Sequence, residues 1–264
     1  MKRWLPFVKS PPVVSVVRLQ GAIGAGPRGL SDRAVAPLLE KAFSRGKPAA
    51  VALEINSPGG SAVQSSMIGA RIRRLAEEKD VPVYAFVEDV AASGGYWLAA
   101  SADEIWLDES SVVGSIGVIA ATFGAHEAIA RLGIERRVYT AGESKSQLDP
   151  FRPEKPADVE RLKEILEQIH GTFIGHVRRR RGEKLPEGKD LFTGNVWVGQ
   201  AAVETGLADG VGHLAPKMKE RFGDKVRFVR YGRRRSLAER FGAQVLAATV
   251  DQLEERAAFA RFGL

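Results

Sequence analysis

Ser93 lies in the run Ala91-Ala92-Ser93-Gly94-Gly95-Tyr96-Trp97, flanked by residues with little or no side chain. The apolar stretch Val81 to Val87 precedes it, so this serine falls where a strand gives way through small residues to a helix. At a helix mouth its hydroxyl is open to a ligand, and the Gly94 amide faces incoming negative charge. That arrangement suits nucleophilic attack on a carbonyl, although a helix-capping serine uses the same residue type. A second stretch, Asn56-Ser57-Pro58-Gly59-Gly60, follows another apolar run that ends at Ile55. Adjacent glycines let the chain turn with positive φ and admit a substrate backbone, and their amides could hold an oxyanion. An ordinary Pro-Gly turn is the plainer reading of that stretch.

A serine nucleophile needs a proton acceptor. The chain has no cysteine, which excludes a thiol nucleophile, a thiolate metal site and a disulfide framework. Its four histidines are His126, His170, His176 and His213. His170 and His176 fall on or beside an amphipathic stretch, where a satisfied or partly exposed histidine is the ordinary expectation, and His213 follows a Gly-rich turn. His126, after Gly124-Ala125 where a helix begins, is the remaining histidine for a conventional triad. Arg136 and Arg137 cannot serve, because a guanidinium stays charged.

The elements that must position these residues alternate between β-branched runs and helical patterns, which predicts an α/β fold of parallel strands with crossover helices. Val13 to Leu19, Ala49 to Ile55, Val81 to Val87, Glu104 to Leu107 and Glu135 to Tyr139 read as strands, several too apolar to have a wet face. Ser31 to Arg45, opening on an N-cap serine, and Ala62 to Glu78 read as surface helices. Asp158 to Arg180 carries one apolar stripe at spacings of three and four: Val159, Leu162, Leu166, Ile169, Phe173 and Val177. Arg178 to Lys189 reads as a basic loop leading to a short helix near Val198 to Thr205. The tail from Ser236 to Ala260 is again amphipathic, preceded by Arg233, Arg234 and Arg235.

With 44% hydrophobic residues the chain of 264 has ample material for a core. Its net charge of +7 suits an acidic membrane surface or nucleic acid without requiring either, so no nucleic-acid partner is expected. Lys2, Arg3, Lys9 and Arg18 interrupt the first nineteen residues and Pro6, Pro11 and Pro12 break any helix, so no signal peptide is read there. No uncharged apolar run approaches the ~20 residues that span a bilayer. A cytoplasmic protein, or one peripheral at the membrane, is the expectation.

Taken together, the motifs Ile55 to Gly60, Ala91 to Trp97 with Ala99, Ala100 and Ala102 to Ile105, Gly114 to Ile119, and Gly142 to Lys145 make the sequence resemble the signal peptide peptidase A family of serine peptidases. The likeness covers about Val13 to Leu214, leaving a C-terminal extension of about 215–264 within one peptidase domain. It implies a Clp protease/crotonase-like spiral of βαβ units with an amphipathic C-terminal helix. It also implies that Ser93 is the nucleophile, that Lys145 is its general base, and that Ser115 holds the lysine toward the nucleophile. Amides around Gly59, Gly60 and Gly94 would form the oxyanion hole. No metal, nucleotide or organic cofactor is implied.

An unperturbed lysine, with pKa ~10.4, is protonated at neutral pH, so such a base must be desolvated to work. The resemblance implies peptide substrates that are membrane-derived or unfolded, with small or apolar side chains at the cleavage point. Family members commonly carry an amino-terminal anchor, which is not read here, and some have two tandem copies of the domain where this chain has one. A single copy implies a homo-oligomer, in which Lys145 could serve Ser93 of its own chain or, as in single-copy relatives, of a neighbour. The basic tail could dock on anionic lipid or pack on another subunit. A crotonase-like acyl-CoA enzyme and an inactive peptide-binding scaffold of the same fold stay open as alternatives.

Overall fold

A computed structural model describes residues 11–24, 29–142, 144–232 and 257–263. In its first strand, β1 (Val13–Gln20), Val14, Val16, Val17 and Leu19 are all buried, so both faces of the pleat need cover. Helices α1 (Asp32–Ser44) and α2 (Ala62–Lys79) help supply it, alternating with strands β2 (Ala50–Ser57) and β3 (Val83–Ala92). Next come α3 (Gly94–Ala100), β4 (Glu104–Leu107), β5 (Val112–Gly114), α4 (His126–Arg131) and the long α5 (Pro156–Arg181). The remaining elements are β6 (Val196–Val198), α6 (Gly199–Glu204), β7 (Gly210–Val211), α7 (Leu214–Phe222) and β8 (Arg227–Tyr231).

The sheet runs β6-β5-β3-β2-β1-β8, with β4 pairing both β3 and β7. Every pairing is parallel except β5 with β6. Strand β3 has two partners on the same side: Tyr84 to Val87 pair with β4, and Val90 to Ala92 pair with β5. The sheet therefore forks at Glu88-Asp89, and the carboxyl end of β3 stands beside β5 rather than β4. This is the α/β arrangement implied by the resemblance, with the Ser93 turn at the carboxyl edge of the sheet, where ligands of such folds bind.

Several expectations need correction. Glu135 to Tyr139 forms no strand: Tyr139 is 91% exposed, and an isolated extended segment has no ladder to satisfy its amides and carbonyls. Ser31 stands at the N-cap with extended backbone but makes no side-chain cap bond. Helix α1 is instead fastened through Asp32, whose two oxygens each lie 2.7 Å from an Arg71 nitrogen. Where a loop is expected from Arg178, α5 continues to Arg181 and is followed by a 3-10 turn (Gly182–Lys184), because these arginines dock on the core. Arg180 donates to the carbonyls of Ala100 and Ala102, and the buried Arg181 donates to Gly206 and pairs with Asp209 at 2.6 Å. Most of the tail reading, residues 233–256, lies outside the described residues.

Candidate active site

Strand β3 delivers Ser93 into a turn that few L-residues occupy, with φ 51° and ψ −120°. Such a conformation costs about 1–3 kcal/mol and persists only where the surroundings over-determine it. Here the backbone is tied on both sides. The Ser93 amide donates to Gly114 of β5 at 2.8 Å, and its carbonyl accepts from Trp97 at 3.0 Å as α3 begins. The strain is what turns the side chain off the sheet edge, into a cavity of about 430 Å³ that Ser93 lines together with Gly60, Gly94 and Ser115.

The Ser57 to Gly60 loop is packed backbone to backbone on the Ser93 turn. A Cβ on Gly59, where φ is +96°, would stand 2.7 Å from both the Gly94 nitrogen and the Ala92 oxygen. Ile23 braces the loop from the other side, donating to Gly59 and accepting from Ser61. These bonds use the Gly59 carbonyl and the Ser61 amide but leave the Gly60 amide without an acceptor among the described residues. The Gly94 amide opens α3, and first-turn amides have no helical acceptor. Two free amides thus border the Ser93 cavity, the arrangement required to hold an oxyanion.

Ser115 also has positive φ, 51°, and its amide donates to Asn195 at 2.7 Å. Apolar side chains also line the cavity: Trp97 of α3, stacked on Phe173 of α5, and Ile169 of α5, with Thr193 and Gly194 beside them. Arg261 and Phe262, near the carboxyl terminus, also line this cavity. Sequence reasoning missed all of these wall residues except as core or stripe positions. The available signal was that Ile169 and Phe173 continue a stripe whose earlier members, Val159, Leu162 and Leu166, are only half-buried.

Beneath Trp97, His176 is buried, and desolvation pulls its pKa down to about 4, against the partial opposition of its hydrogen bond to the Trp97 carbonyl. An unfolded histidine titrates near ~6.5, so between these values the unfolded chain binds the extra proton. The contribution is therefore complete above about pH 6.5 and is lost as pH falls toward 4, amounting to about 3 kcal/mol. Denaturant titrations at pH 7, 6, 5 and 4.5 should show this decline, and His176→Gln should flatten it. An unchanged slope in that variant would refute the assignment.

Lys145 is exposed and is not among the residues lining the cavity, so one chain brings together Ser93, Ser115, Gly60 and Gly94 but not the lysine. The segment carrying it leaves large apolar side chains in the open, among them Phe123 at 66% and Leu132 at 74% exposure. His126 begins α4 on that same segment, and His213 sits in a separate groove beside Asp108 at 3.5 Å; neither lines the Ser93 cavity.

The sequence profile of Peptidase family S49 matches residues 75–221. The chain is 32% identical to a putative signal peptide peptidase SppA of Enterococcus faecium, over 62% of this chain and 47% of that protein. It is 31% identical to the chloroplastic serine protease SPPA of Arabidopsis thaliana, over 81% of this chain and 33% of that protein. A Brucella melitensis protein named Na(+)/H(+) antiporter NhaA is 46% identical over 100% of this chain but 39% of its own length. The chain spans less than half the length of each of these relatives. Among its described residues no helix is long and apolar enough to cross a membrane.

Proposed function

The chain belongs to peptidase family S49, and we propose that it is a serine peptidase that cleaves peptide bonds with Ser93 as nucleophile and Lys145 as general base. The observation that carries this reading is the strained Ser93 turn, which opens into a cavity bordered by the free amides of Gly60 and Gly94. A neutral lysine amine takes the Ser93 proton as the oxygen attacks the peptide carbonyl, and the two amides hold the tetrahedral oxyanion. The resulting ammonium returns that proton to the leaving amine as the C–N bond breaks. Water then attacks the acyl-enzyme, giving its proton to the same amine, and the acid leaves as the serine oxygen recovers a proton.

The base comes from a neighbouring copy. Lys145 stands in solvent on a segment with exposed Phe123, Leu132 and Ile134, a surface expected to be covered when copies associate. Packing against the neighbour would dehydrate the amine, which the chemistry requires. Extended peptides of unfolded or membrane-derived origin, with small or apolar residues at the cleavage point, fit the apolar wall of Trp97, Ile169 and Phe173.

The reading is tested by incubating the chain with a fluorophosphonate and with casein. The adduct should map to Ser93, casein should be cleaved, and the rate should climb with pH because only the unprotonated amine accepts a proton. Cleavage of casein by a Ser93→Ala chain at the wild-type rate would end the proposal. Hydrolysis of an acyl-CoA thioester without peptide cleavage would instead favour the crotonase-like alternative.

A further inference from the structure

Two of the four histidines sit on α5 and reach the two loops of the site. His170 Nε2 lies 3.1 Å from the Ile116 carbonyl, next in sequence to Ser115. His176 Nε2 lies 3.0 Å from the Trp97 carbonyl, in the helix that Ser93 begins. A carbonyl only accepts, so each Nε2 carries a proton and donates it. The two histidines are less than two turns apart on one helix, which makes α5 a short rigid strut between the Ser115 loop and the Ser93 helix.

Other contacts seat this strut. The His176 ring lies parallel to the Trp97 indole, with centroids 4.4 Å apart and planes 5° apart, and Phe173 stacks on the same indole at 5.1 Å. Close packing extends to α2, where a Cβ on Gly69 would come within 3.0 Å of the indole Cδ1 and Nε1. On the other loop, the Ile116 carbonyl also accepts from the Gly194 amide at 3.2 Å. The other bonds at the Ser115 loop are between backbones: from its own amide to Asn195, within the loop, and, just before it, from the Ser93 amide to the Gly114 carbonyl at 2.8 Å; His170 is its side-chain tie to α5.

Resting on the peptidase reading, we propose that His170 and His176 are positioning residues, which brace Ser93 and Ser115 by hydrogen bonds from one helix, on the side away from the Ser93–Gly114 backbone bond. Neither acts as an acid or base. The half-buried His170 gives the cleaner test, since its removal leaves the α3 packing intact.

The experiment compares wild type, Ser93→Ala, His170→Ala, His170→Gln and His176→Gln on one fluorogenic peptide, with thermal melts alongside. His170→Ala should lower kcat by about 10- to 100-fold with KM nearly unchanged, because a site loosened by a fraction of an ångström still binds substrate. His170→Gln, which keeps an amide donor at similar reach, should recover most of that loss, and the melting temperatures of both should stay near wild type. His176→Gln likewise keeps an amide donor toward the Trp97 carbonyl and should retain most of the wild-type kcat. Wild-type kcat in His170→Ala, or equal losses in Ala and Gln variants that track a lowered melting temperature, would overturn the positioning role alone. If wild type shows no cleavage that Ser93→Ala removes, the peptidase reading falls and takes this inference with it.

Discussion

A mixture of Ser93→Ala and Lys145→Ala chains should cleave casein although neither chain alone does. Each single variant is expected to lose at least about 10⁴-fold in kcat, because the groups of a nucleophile–base pair act as a unit and removing either collapses the step. The mixture distinguishes two geometries. Were both groups supplied by one chain, no mutant chain would carry an intact pair and mixing would change nothing. With serine and lysine supplied by adjacent copies, random association pairs an intact serine with an intact lysine at about a quarter of the sites, and about a quarter of the wild-type rate returns. Lys145 stands exposed and away from the Ser93 cavity, which favours the second geometry. The chains must be dissociated and reassociated together, and the rate followed as a function of mixing ratio with its maximum near equal parts. Silence at every ratio, with the mixed assembly confirmed, would return the lysine to its own chain or remove it from the mechanism.

How far the sequence reaches depends on the range of the forces involved. Strand β4 and helix α2 are legible because their residues alternate or repeat with the period of the element they form, a local property. The Ser93 and Gly59-Gly60 turns are legible for a related reason: small residues after a buried run leave few other conformations. Strands β5, β6, β7 and β8 are not legible in the sequence. They are short or half-exposed, and they exist because a neighbouring strand offers a ladder, as when β8 joins β1 through Val13 to Val17. The opposite error occurred at Glu135 to Tyr139, where local propensity favoured a strand but no partner lies alongside. His170 and His176 look like ordinary helix residues in the sequence, since nothing in it tells which distant carbonyl a side chain will meet.

Replacing Gly59 by alanine should disable the site more thoroughly than its size suggests. At φ +96° an alanine is already strained, and its methyl would point into the Ser93 turn, 2.7 Å from the Gly94 nitrogen and 2.8 Å from the Ser93 Cβ. Both neighbours belong to the turn itself, so no flexible side chain can swing aside, and the serine and the Gly94 amide must move together. Displacement of a nucleophile and an oxyanion donor by up to about 1 Å should lower kcat by about 100-fold or more. Strain and clash together should cost about 1–3 kcal/mol of stability, which leaves a folded protein to assay. Gly182→Ala provides the contrast: that residue has helical backbone, a Cβ there meets nothing within 4 Å, and the site is remote. It should retain wild-type kcat. Should Gly59→Ala also retain it, the contact between the glycine loop and the Ser93 turn would not be what sets the geometry of the oxyanion hole.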